Sequence, residues 1–247
     1  MKSIGAVLLL LASCISIHCA WVDEMENPGM FEGDIQLDPD EKEGILKTGN
    51  AFASIKGGRW PGGRITYQID SSIGSRGVSA INNAIANYHR YTCLKFTKVS
   101  RGAGIEFYRG SGCSSPVGYR SGRQNRISLA SGCWYKGTVM HEIGHSMREH
   151  FFLGIYHEQS RPDRDNYVQI IWSNIPQNRQ FNFRKQSYNI IDRNIRTPYD
   201  YGSMMHYGAK AFGNGKTTIR TLNSASIGQR NGFSQIDIKQ INLMYCS

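Results

Sequence analysis

Thr138-Val139-Met140-His141-Glu142-Ile143-Gly144-His145 is the stretch from which the rest of the chain is read. Residues four apart on a helix share a face, so a helix starting near Thr138 brings His141 and His145 together. Two such imidazoles can hold one Zn2+, and the glutamate between them is placed to take a proton from a water at an open coordination position. The plainer alternative is two exposed histidines and a salt-bridging glutamate. A catalytic zinc also needs a third protein ligand. Leu153-Gly154-Ile155-Tyr156-His157-Glu158 offers one, because Gly154 can break a helix and His157, three residues on, can turn back to the metal. Further along, Ser203-Met204-Met205-His206-Tyr207-Gly208 sets a thioether beside a phenol. Read plainly, Met205 is core and His206 a hydrogen-bonded turn histidine.

The surrounding pattern predicts an α+β protein. Ile65-Thr66-Tyr67-Gln68-Ile69 alternates as a strand does, and Val78, Ile81, Ile85 and Tyr88 recur at helical spacing. Short strands are expected near 94–99, 104–108 and Arg126–Ala130. The Gly-rich 109–126 reads as loop. Beyond 158, Pro, Asn, Arg and Gly predict a loop-rich half closed by a last helix over 234–245, with Ser234 as its N-cap.

Lys2 followed by the apolar run Ala6–Ala12 is too short to span a bilayer and reads as a secretory signal peptide, residues 1–20, cut after Ala20. No other segment of the sequence could be transmembrane. Four cysteines then remain, Cys93, Cys113, Cys133 and Cys246. In an oxidising compartment they predict two disulfides, with three pairings open. The charge of +10 over 247 residues is unevenly spread. Residues 21–50 hold nine acids (Asp23, Glu24, Glu26, Glu32, Asp34, Asp38, Asp40, Glu41, Glu43) against Lys42 and Lys47, and 51–247 carry +16. The 21–50 segment is a solvated linker or a pro-segment held partly by charge. Secretion argues against a nucleic acid partner, while a basic body suits acidic polyanions or glycans.

With these residues quoted, the chain resembles the astacin family of metzincin zinc metalloendopeptidases. The resemblance runs through Phe31-Glu32-Gly33-Asp34, Arg59-Trp60-Pro61, His141 to His145, Gly154 to Asp165, and Tyr199 to Tyr207. It implies a two-lobed fold: an N-terminal lobe with a twisted mixed sheet and two long helices, a loop-rich C-terminal lobe, and a cleft between them. It implies a secreted zinc endopeptidase acting on protein or peptide substrates and made as a zymogen, with 21–50 as pro-segment and 51–247 as catalytic domain, in the minimal form without EGF-like or CUB domains. Residue by residue, His141, His145 and His157 match the zinc ligands and Glu142 the general base. Met205 matches the methionine under the metal. Tyr207 matches the tyrosine that leaves the metal to stabilise the oxyanion, and Asp34 the aspartate that occupies the open position in the zymogen. Glu158 matches the glutamate that meets the new N-terminus, here Asn50 or Ala51. The implied disulfides are Cys93–Cys246 and Cys113–Cys133. An extended peptide is expected to pair with an edge strand near Arg126–Ala130.

One departure stands out. The family pattern H-E-x-x-H-x-x-G-x-x-H fails, with Arg148 at the seventh and Phe151 at the tenth position after His141. Deleting Met147-Arg148-Glu149-His150-Phe151-Phe152 restores it. Six more helical residues add about 9 Å and roughly 600° of rotation, which would carry His157 away from the metal unless they loop out. The sequence leaves three readings: a bulged loop in an active enzyme, an error in the chain's definition, or a catalytically impaired homologue serving as a basic secreted binding module.

Overall fold

The computed structural model of the chain describes residues 25–48, 57–147, 157–186 and 197–246. The signal-peptide reading of 1–20 and the processing point at Asn50 or Ala51 lie outside the described residues.

The alternating stretch forms β2 (Arg64–Ile69), with Ile65 and Tyr67 buried and Arg64 and Thr66 exposed. It pairs in parallel with β3 (Lys95–Lys98) and β4 (Ile105–Tyr108), and β4 pairs in parallel with β6 (Asn125–Leu129). Beyond β6 come β5 (Cys113–Pro116), antiparallel, and then β1 (Ile35–Gln36), parallel to β5. The sheet order is β1-β5-β6-β4-β2-β3, a mixed sheet.

Two expectations are corrected here. The stretch 109–126 is not all loop, because it contains β5. All four β5 residues, Cys-Ser-Ser-Pro, are buried, and a strand covered on both faces lacks the period-2 pattern that marks a half-buried one. The strand expected at Arg126–Ala130 exists as β6 but lies inside the sheet, with β5 and then β1 between it and the edge.

The helical spacing over 78–88 becomes α2 (Ser75–Tyr91), which buries Ala80, Ile81, Ala84, Ile85 and Tyr88. Fully burying a large apolar side chain contributes about 1.5–3 kcal/mol, and this face packs on α3 (Lys136–Ser146) and the sheet. Of the two long helices expected, α2 has 17 residues and α3 only 11. A helix of the acidic segment, α1 (Pro39–Thr48), follows β1. The last helix, α4 (Gln235–Tyr245), starts on a capping box in which Ser234 Oγ accepts from Asp237 N and the Asp237 side chain accepts from Ser234 N.

Among the described residues the half beyond 157 is loop-rich as expected. Its regular elements are the antiparallel pair β7 (Val168–Ile170) and β8 (Ile219–Thr221), several short 3-10 turns, and α4. It has its own core, including Val168, Phe183, Tyr199, Tyr207, Phe212 and Ile219. The disulfides join Cys93 to Cys246 and Cys113 to Cys133, the pairing the family resemblance implies. No described helix is long and apolar enough to cross a membrane.

Candidate metal centre

Helix α3 is buried on every side from Gly137 to Ser146, which explains its weak amphipathic signature. Its first turn fits because residue 137 is glycine: a Cβ there would lie 1.6 Å from the Arg230 carbonyl oxygen. Its last carbonyls, which a helix end leaves unpaired, find outside donors. Trp60 Nε1 donates to Ser146 O at 2.7 Å, and the Tyr245 hydroxyl to Met147 O at 2.6 Å. Tyr88 of α2 donates to Met140 O at 2.9 Å and fixes the middle. Met205 packs beneath, its sulfur 3.1 Å from where a Cβ on Gly144 would stand.

On this scaffold His141 Nε2 lies 3.1 Å from His145 Nε2 and 3.3 Å from His157 Nε2. All three rings are essentially fully buried. A carbonyl oxygen can only accept, so the 2.9 Å contact of His141 Nδ1 with Met204 O puts the proton on Nδ1 and the Nε2 lone pair inward. His157 Nδ1 likewise donates to Glu32 Oε2 at 2.9 Å. Converging nitrogen lone pairs at this spacing repel unless a cation lies among them. Tetrahedral Zn–N bonds of about 2.0–2.1 Å place neighbouring nitrogens about 3.3 Å apart, which the nitrogen spacing matches, so the residues fit zinc.

Asp34 closes the fourth side. Its Oδ2 is 3.0 Å from His141 Nε2 and 3.2 Å from His157 Nε2, and its Oδ1 is 3.3 Å from His145 Nε2. One ligand atom from each of the four residues lies within 4.8 Å of all the others. Burial alone would raise the Asp34 carboxyl, but the facing histidines hold it well below the usual carboxylate range. Asp34 is delivered by a tight turn in which Glu32 and Gly33 both take positive φ, 46° and 82°. Gly33 is required there, since a Cβ would stand 2.7 Å from both Met25 O and the Phe212 ring.

The comparisons with known proteins agree with this geometry. The family model of Astacin (Peptidase family M12A) matches residues 53–246. The chain belongs to the astacin family. It is 39% identical over 240 residues to zinc metalloproteinase nas-15 of Caenorhabditis elegans, covering 90% of this chain and 40% of that protein. It is 40% identical over 223 residues to nas-4 of the same organism, covering 87% and 68%. The chain thus spans about two fifths of the first relative and two thirds of the second. Among solved structures it resembles high choriolytic enzyme 1, a hatching enzyme zinc-protease of Oryzias latipes. The TM-score is 0.67 and the identity 36%, over 78% of this chain and 96% of that one.

In this astacin the other residues singled out from sequence gather round the triad. Both Glu142 carboxylate oxygens are buried without a hydrogen-bond partner. Burial drives that carboxyl well above its ordinary range, Asp34 repels it further, and Arg230 opposes both. The Tyr207 ring lies 4.4 Å from that of His157, and its hydroxyl donates to Glu32 O at 2.7 Å. Glu158 Oε1 accepts from Asp200 N at 2.8 Å and Arg161 Nη1 at 3.1 Å, and burial pushes its carboxyl up to about 7. Its expected link to a new N-terminus falls outside the described residues.

Most of the extra residues also fall outside, within 148–156, as does His150. The described residues on either side are informative. Helix α3 stops at Ser146, with Met147 in a turn, and His157 still reaches the triad. Two site residues received no individual role in the sequence reading. Glu32 orients His157 and also accepts from Gln186 Nε2 at 2.9 Å. Arg230, whose Nη1 donates to His206 O at 3.1 Å, brings a positive charge toward Glu142 and Asp34. The acidic pair Glu32 and Asp34 on either side of Gly33 was the available signal for Glu32. Nothing local marks Arg230.

Proposed function

We propose that the processed chain is a secreted zinc endopeptidase, held latent until residues 21–50 are removed near Asn50 or Ala51. The observation that carries the reading is Asp34. A carboxylate from the acidic segment fills the one side of a three-histidine site that a catalytic zinc needs open. The complete triad favours this over an impaired binding module, whose third histidine would have no reason to reach the other two.

Zinc bound by His141, His145 and His157 supplies a Lewis acid and lowers the pKa of a water to about 7. The chain's own residues supply the rest. Once Asp34 leaves, an extended peptide pairs with the exposed β5 edge and presents its carbonyl to the site. Glu142, with no competing partner, accepts the proton of the attacking water and passes it to the departing amine. Tyr207, freed from the Glu32 carbonyl, donates its hydroxyl to the developing oxyanion. Met205 supports the floor.

The test is casein cleavage by the full chain, folded and then cut within 49–56, with and without a zinc chelator. Chelator-sensitive cleavage that appears only after the cut is expected. A folded, zinc-loaded, cut chain that cleaves nothing would sink the reading.

A further inference from the structure

Four residues beyond Asp34 the acidic segment meets two guanidinium groups. Arg120 pairs with Asp38 and, through Nη2, with both Glu41 oxygens at 2.8 Å. Arg123 also pairs with Asp38, its Nη2 reaching Oδ1 at 3.0 Å. Glu41 is 1% exposed and the Arg120 side chain 9%, whereas that of Arg123 is 59% exposed. Arg120 Nε is buried with no hydrogen-bond partner. Both arginines line an open groove of about 750 Å³ that Arg64 and Arg101 make still more basic.

The chain between the metal and these arginines lies along the sheet edge. Ile35 faces Ser115, Gln36 faces Pro116, and Gln36 Nε2 donates to the Ser114 carbonyl at 3.1 Å. Four residues of extended chain span about 13 Å. In the processed form Asp38 and Glu41 are gone, while Arg120 and Arg123 stay at the same distance along the same edge. An inward-held guanidinium without an anion is costly, and its fork is shaped for a carboxylate.

We infer that Arg120 and Arg123 form a subsite of the proposed cleft that recognises a substrate Asp or Glu three to five residues before the scissile bond. The inference rests on the endopeptidase reading. The pro-segment lies parallel to β5. An antiparallel ladder is the more stable pairing, so a substrate runs the other way and its residues over the arginines precede the cut. The acidic segment therefore occupies two places at once: Asp34 at the metal, and Asp38 with Glu41 in an acid-binding subsite.

The experiment folds the full chain with a protease recognition sequence placed within 49–56, cuts it, and confirms loss of the pro-segment by mass. Peptides then carry Glu or Gln four residues before the mapped cleavage point, and a second pair carries them four residues after it. The readout is the Glu/Gln ratio of kcat/KM, which a general loss of folding leaves unchanged. About a tenfold preference for Glu before the cut is expected. Arg123→Gln and the double change Arg120→Gln/Arg123→Gln should bring the ratio to near one. Arg123→Glu should invert it, so that Gln is preferred over Glu, which a structural role would not do. Because Arg123 is exposed, its variants decide the matter even where Arg120→Gln does not fold. The same ratio read as binding to a Glu142→Gln chain needs no turnover. Silence of the wild type in the cleavage assay would then count against the endopeptidase reading, while binding still decides the subsite. Equal ratios in wild type and variants, or a preference only after the cut, overturns the inference.

Discussion

Glu32 Oε2 and His157 Nδ1 are 2.9 Å apart, so a residue of the acidic segment orients a histidine of the metal triad. Outer partners of this kind set the ligand's tautomer, and losing one typically costs 10–100-fold in metal affinity. Glu32→Ala should therefore weaken zinc binding by about that factor in the uncut chain. After the cut the residue is absent, and wild type and variant should have the same affinity. Competition with a zinc indicator before and after cutting reads both. Equal affinities before the cut would mean that the contact does not tune the metal.

Asp34→Ala leaves the fourth side of the triad to solvent while Glu32 and the arginine pairs still hold the segment. The uncut variant should show chelator-sensitive cleavage of a small fluorogenic peptide at least about tenfold above uncut wild type, the scale of losing a charged buried contact. Uncut Asp34→Ala that is as silent as wild type, while cutting activates both, would move the source of latency from Asp34 to the bulk of the segment.

Gly137→Ala tests the helix rather than the chemistry. A Cβ at 137 would stand 1.6 Å from Arg230 O and 2.5 Å from its carbonyl carbon. Backbone cannot swing aside as a side chain can, so the gain in helix propensity is outweighed. Overpacking of this kind costs about 1–3 kcal/mol, and for a chain of this size Tm should fall by roughly 2–12 °C. Thermal unfolding monitored by circular dichroism is sufficient, and an unchanged Tm would mean that the loop around Arg230 moves freely.

How much was legible follows from how each residue earns its place. His141 and His145 are four apart on one helix, and the pattern alone pairs them. His157 was legible through Gly154 and the Met205–Tyr207 stretch, although the six extra residues obscured the spacing. Strand β2 and helix α2 bury one face each and so carry their period. Strand β5 buries all four residues between its sheet neighbours β1 and β6 and against α3, which erased the alternation and left β6 inside the sheet. Arg120 and Arg123 sit in a Gly-rich stretch whose pairing with Asp38 and Glu41 spans about 80 residues. Charge complementarity foretold attraction between the two regions, but not which residues would meet.

His206 provides a measurable pH dependence away from the triad. Its Nδ1 faces the Tyr207 carbonyl at 2.8 Å and must donate, so Nε2 accepts from the Tyr199 hydroxyl at 2.7 Å. That assignment holds for the neutral ring, which burial favours in the fold. Burial lowers its pKa from 6.5 to about 4, the bond to Tyr207 opposes this, and Arg230 and His157 add to the lowering. Between those values the unfolded chain binds the extra proton, so stability rises with pH there. The His206 contribution is complete above about pH 6.5 and is lost progressively as pH falls toward 4, by at most about 1.4 kcal/mol per pH unit. Urea unfolding at pH 7, 6, 5 and 4.5, compared between wild type and His206→Gln, isolates this from the other titrating groups. The variant should be less stable at pH 7 because Tyr199 loses its acceptor, and the gap should narrow as pH falls. A gap that stays constant would mean that His206 is not held neutral.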